Sequence, residues 1–139
     1  MGRNIGAGIV GVLIAALLVW VVEMIGHTAY PIPEGLDYRD TEAMAAYVAT
    51  LPVGAMLSVV LAWVVGTFGG TFVGVRIGTA PPYIFAMLVG GFVLLGIALN
   101  LAAIPHPTWM GVTGVVGTIV AAWLGMQLGR NSLIQRNDV

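Results

Sequence analysis

The chain has 139 residues, of which 59% are hydrophobic and 8% charged, with a formal net charge of −1 and a mean hydropathy of +1.00. That balance lies far outside the range of soluble domains and marks an integral membrane protein. There is no cysteine, which excludes disulfides, thiolate metal sites and thiol nucleophiles, and the five basic residues are all arginine, too few and too dispersed for a nucleic-acid-binding face.

The charges divide the sequence into four apolar stretches, residues 5–25, 52–77, 83–103 and 109–128, each near the ~20 residues that cross a hydrocarbon core of ~30 Å. Lipid offers no water to backbone N–H and C=O groups, so each stretch is expected to be helical. The expected fold class is all-α: a four-transmembrane-helix bundle forming a single integral membrane domain over residues 1–139. The first stretch follows Arg3, but it is too long for a secretory h-region and no A-x-A-like cleavage site follows it, so it reads as a retained helix.

Residues 26–51 are expected to form an extracytoplasmic loop and a short amphipathic helix. The segment 23–42 carries five of the six acidic residues in the chain. Pro31 and Pro33 stiffen it, and Glu34-Gly35 has the composition of a turn. Asp37 or Asp40 is placed to cap a helix starting near Thr41, with Glu42 favouring the positive end of its dipole. Met44, Tyr47, Val48 and Leu51 follow i, i+3, i+4, i+7 spacing, the pattern of a stripe lying on the bilayer or on neighbouring helices. Pro52 then imposes a bend before the second span.

Two of the spans carry small residues in register. Gly66, Gly70, Gly74 and Gly78 recur at every fourth position, as do Gly117, Ala121, Gly125 and Gly129. Such faces let backbones approach closely, which is what associates helices in lipid, either within one bundle or between subunits. The stretches "VVGTFGGTFVGVRIG" from Val64 and "VVGTIVAAWLGMQLG" from Val115 also resemble each other, and Leu17-Leu18 before Glu23 mirrors Leu94-Leu95 before Asn100. This suggests two repeated helical hairpins about an axis along the membrane normal. The second and fourth spans would then run parallel and cross glycine face to glycine face.

Arg3, Arg76, Arg130 and Arg136 lie at one set of ends and Arg39 at the other. By the positive-inside rule both termini are expected in the cytoplasm of a bacterial inner membrane, with the acidic segment outside. Trp20, Tyr30, Tyr47, Tyr83 and Trp109 fall near span boundaries, where amphipathic rings anchor at headgroup level. Trp63 and Trp123 lie deeper, and Trp63 is expected either to fill a groove or to face lipid.

The residues able to do chemistry gather toward the outer end: Glu23, His27, Asp37, Asp40, Asn100 and His106. Glu23 and His27 are four apart and share a face if the first helix continues that far. The repeat would set Asn100 opposite Glu23, with His106 of "IPHPTW" nearby. A divalent-metal site can be drawn from Glu23, His27, His106 and a loop aspartate, but this spacing is not diagnostic, and neither metal nor cofactor is assigned. There is no H-E-x-x-H or G-x-S-x-G, and the serines are Ser58 and Ser132, so enzymatic activity is not expected.

The run "HTAYPIPEGLDYRDTEAMAAYVATLP", with "AWVVGTFGGTFVGVRIG" after it, resembles a group of small four-span bacterial membrane proteins of unassigned function. The H-x-x-Y-P-x-P-x-G-L-D pattern and the later Leu-Pro carry the resemblance, which covers residues 27–78; the second half matches by hydrophobicity and glycine placement. It implies fold and bacterial origin and supplies no catalytic or binding residues. The functional expectation is a structural or accessory subunit, assembling through glycine-rich faces as a homo-oligomer or within a larger membrane complex, and in contact with lipid. The alternative is a small oligomeric channel or transporter with an acidic mouth. That alternative is weakened because Glu23, Arg76, Asn100 and Gln127 sit toward helix ends and leave the midplane almost bare.

Overall fold

The computed structural model describes the backbone of residues 1–37 and 39–137, and side chains as far as Arg130 with the exception of Tyr38; the side chains of Ser132 and Arg136 therefore lie outside the described set. The described chain is all-helical: α1 (Gly2–Ala29), α2 (Thr41–Thr50), α3 (Val53–Ile77), α4 (Pro82–Ala103) and α5 (Thr108–Asn137). All but α2 are long and apolar enough to cross a membrane, which makes this a multi-pass membrane protein. α1 and α5 outrun the apolar stretches 5–25 and 109–128. Hydropathy marks where lipid ends, whereas a helix keeps its internal hydrogen bonds into the headgroup region.

The cap follows its local chemistry. Glu34-Gly35 turns, with Gly35 at φ 82°, a conformation that favours glycine. Of the two candidate caps, Asp40 acts: its Oδ1 accepts from the backbone N–H groups of Glu42 (2.9 Å) and Ala43 (3.1 Å). Pro52 holds extended backbone between α2 and α3 and makes the bend. Met44 and Val48 are buried, so the apolar stripe of α2 lies on the bundle rather than on lipid.

α3 is the central helix, packed against α1, α4 and α5. Its glycine face meets α1. A Cβ added at Gly70 would collide with the Gly11 carbonyl oxygen and come 2.7 Å from the Ala15 Cβ, and one at Gly66 would come 2.8 Å from the Ala15 carbonyl oxygen. Ala7, Gly11 and Ala15, all buried, form the matching small face of α1, while Ile5, Ile9, Leu13, Leu17 and Trp20 are exposed on its other side. α1 is thus amphipathic in size, not in polarity.

The expected glycine-to-glycine crossing of the second and fourth spans is not what forms. The small face of α5 instead receives the opposite side of α3. A Cβ at Gly117 would lie 2.8 Å from Val64 Cγ2, one at Gly125 2.7 Å from the Phe68 carbonyl oxygen, and one at Gly129 2.9 Å from Val75 Cγ1; Ala121 is buried beside them. Gly78 seats the ring of Phe85 from α4. α3 and α5 do run parallel, since contacts advance together from Trp63 against Gly114 to Val75 against Gly129. The matched positions of the two hairpins nevertheless face non-equivalent neighbours, so the repeat is not expressed in the packing. One helix cannot offer its glycines to every flank, and here α1 and α4 have taken them.

Two polar residues tie down the end opposite the cap. Asn4 Oδ1 accepts from Thr79 N (2.7 Å), Thr79 Oγ1 (3.0 Å) and Ala80 N (3.0 Å), and Arg3 Nε donates to the Ile77 carbonyl (2.7 Å). These bonds satisfy the backbone groups freed where α3 ends.

The glycine contacts predict a graded response. Gly70→Ala should cost about 1–3 kcal/mol, the range for overpacking a close contact. Gly74→Ala should be tolerated, because its Cβ would find Phe85 Cβ at 3.4 Å and the Ala7 carbonyl oxygen at 3.5 Å, ordinary contact distances. Thermal unfolding followed by circular dichroism in detergent would measure both; equal stability of the two variants would show that α1 and α3 do not meet at Gly70.

Candidate functional site

The cap end holds a chamber and a groove that share a wall. α1 stays helical to Ala29, so Glu23 and His27 do fall on one face. α4 brings Asn100 to its last turn, and the link to α5 brings His106 between Pro105 and Pro107. Gly26 lets α1 approach α3 so closely that a Cβ there would lie 2.8 Å from Ser58 Oγ. α2 closes the top through Met44, Tyr47 and Val48. The chamber beneath, about 250 Å³, is lined by Glu23, His27, Asn100 and His106 together with Tyr30 and Ser58.

Glu23 and Asn100 are also the polar end of a groove of about 420 Å³ between α1 and α4. Its floor is Trp63, which is 5% exposed and lies over Gly114, with Val93 and Ile97 beside it. Its rim is Trp20, Phe92, Leu95 and Leu99, all exposed large apolar residues. Trp123, by contrast, is exposed on the lipid-facing surface.

The hydrogen bonding at this end is lopsided. Ser58 spends its hydroxyl proton on the Ala55 carbonyl (2.7 Å), and His106 Nδ1 donates to the Ile104 carbonyl (2.7 Å). The Oδ1 of Asn100 is buried with no partner among the described residues. Such an unpaired acceptor costs about 1–3 kcal/mol unless something else supplies a proton.

Not every candidate residue joins the site. Asp37 and Asp40 work locally: Asp37 Oδ1 accepts from Arg39 N (2.9 Å), and Asp40 caps α2. Glu23, His27 and His106 line one chamber, yet among the described residues no three such ligands come together within reach of one ion. The metal arrangement drawn from the sequence is therefore not assembled among the described residues, although all three of its side chains line the chamber. The sequence pattern did not single out Ser58 as lining or Asn4; of the two places open to Trp63, a groove or the lipid, it takes the groove.

No protein-family model, curated protein or solved structure matches this chain.

The chamber depends on α2 staying docked. Asp40→Ala should remove about 0.5–2 kcal/mol of helix capping. Amide hydrogen exchange should then accelerate within α2 while the middle of α3 stays protected; uniform acceleration in both would show that the cap is not a separate unit.

Proposed function

We propose that the chain is a non-enzymatic accessory protein of the bacterial inner membrane, with both termini in the cytoplasm and the α2 cap outside. The observation that carries this is the division of labour along the bundle axis. Glu23, His27, Asn100 and His106 gather at the cap end, while the middle is packed backbone to backbone between α1, α3 and α5. A conduit needs charged or several amide groups through its depth. Among the described residues the polar side chains buried at mid-depth are Thr67, Thr71 and Thr118, which carry no charge; Thr67 bonds back to the Trp63 carbonyl (2.7 Å), and the hydroxyls of Thr71 and Thr118 have no partner among the described residues.

The arginine bias supports the orientation, and the resemblance of residues 27–78 to small bacterial four-span proteins supports the setting. The glycine-rich faces are occupied within one copy of the chain, so the surface offered to a partner protein lies elsewhere, on the cap or on the lipid-facing flanks of α4 and α5. Membrane lipid is the other partner. The protein thus serves within a larger membrane complex, its glycines holding its own helices together.

Native mass spectrometry after gentle extraction from the source membrane should show the 14.5 kDa chain bound to an unrelated membrane protein. A closed ring of copies with no other protein would favour the channel alternative. In proteoliposomes, ion flux should equal that of empty liposomes and should be unaffected by Glu23→Gln; flux that requires Glu23 would overturn the accessory role.

A further inference from the structure

We infer that the groove and the chamber together bind one phospholipid with a primary ammonium headgroup, its acyl chain in the groove and its headgroup in the chamber. The site holds whichever side of the membrane the cap faces.

The apolar half has the shape of a chain-binding slot. It runs from Ala16 to Glu23 on α1 and from Phe92 to Asn100 on α4, about 10–12 Å along the axis at 1.5 Å per residue, most of the ~15 Å depth of one leaflet. Its exposed rim of Trp20, Phe92, Leu95 and Leu99 opens sideways to lipid, so a chain enters without crossing a polar barrier. Gly96 lies in the wall, and a Cβ there would meet nothing within 4 Å. This is open space between helices that touch elsewhere, since Leu88 and Val89 of α4 reach Gly8 and Gly11 of α1.

The polar half selects the headgroup by charge and by proton supply. Where slot and chamber meet, Glu23 offers a carboxylate and Asn100 an unpaired, buried Oδ1. Ser58 and His106 have already given their protons to backbone carbonyls. These groups accept hydrogen bonds and await a donor. An ammonium group brings three N–H donors and a compensating positive charge, and charge-assisted bonds to a carboxylate are the strong kind. A quaternary ammonium supplies the charge without the protons, and a glycerol headgroup supplies protons on a net anionic lipid that Glu23 repels. The lipid's phosphate needs donors in turn, and Tyr30, Tyr47 and His27, which carry O–H and N–H groups, are among the residues lining the same chamber.

The test is native mass spectrometry of the detergent-purified full chain, titrated with dioleoyl phosphatidylethanolamine, phosphatidylcholine and phosphatidylglycerol. Phosphatidylethanolamine should bind at least about tenfold more tightly than the other two, the factor expected from one charge-assisted hydrogen bond. Glu23→Gln and Asn100→Leu should each lower its binding by about tenfold. Gly96→Leu extends a side chain into the slot from a position where a Cβ meets nothing within 4 Å; it should abolish retention of phosphatidylethanolamine and leave thermal unfolding unchanged, and that unchanged unfolding separates loss of binding from loss of fold. Free ethanolamine should not displace the lipid. Binding of phosphatidylglycerol as tight as that of phosphatidylethanolamine would overturn the assignment, as would full retention by the Gly96→Leu chain or displacement by ethanolamine alone.

Discussion

In lipid, burying apolar surface does not draw helices together, because acyl chains are as apolar as leucine. What remains is van der Waals contact, which falls off within an ångström, so helices associate where backbones can touch. In this protein that place is the line where Gly66, Gly70 and Gly74 of α3 lie against Ala7, Gly11 and Ala15 of α1. Once the two helices are seated there, α3 has one flank left for α5, whose Gly117, Gly125 and Gly129 accept the side chains and carbonyls of that flank. The large residues of α1, from Ile5 to Trp20, are pushed to the outside, where lipid covers them.

The site arises where this close packing stops. α4 touches α1 through Leu88 and Val89, but past Ala16 the two helices bound an open groove that reaches Glu23 and Asn100. A polar group there sits at the edge of the hydrocarbon, where it is neither fully solvated nor paired. α2 completes the arrangement by roofing the chamber with Met44 and Val48, whose burial also spares the cap from floating free. Fold and site are two results of one distribution of side-chain size along α1 and α4.

Polarity made much of this legible beforehand. Charges and hydropathy delimited the spans, and the order Asp40, Thr41, Glu42 followed by Pro52 marked the short helix and its bend. Facing was harder, because α1 is apolar all round and its orientation is written in volume. Counting glycines alone hid the stripe of Ala7, Gly11 and Ala15, and the apparent repeat directed the α3 glycines toward α5. The same repeat placed Asn100 near Glu23, and both do line one groove, though by different packing from the symmetry that suggested it. The groove itself was not legible, since a gap between helices depends on their separation and not on any single residue. Nor was Asn4, one amide at the edge of an apolar run, until the loop at Thr79 and Ala80 folded onto it.

The clasp at Asn4 bears on how the molecule is made. Its partners lie no further along than Ala80, and the small-residue seam between α1 and α3 ends at about the same point. The first hairpin therefore has every piece of its own interface before α4 leaves the ribosome, and it can lock as a unit even though its clasp joins residues 74–76 positions apart. α4 and α5 are then late arrivals that dock on a finished template. On that schedule the polar pocket at the far end is the last part of the protein to come into being, since Asn100 and His106 reach Glu23 only when the second hairpin is in place.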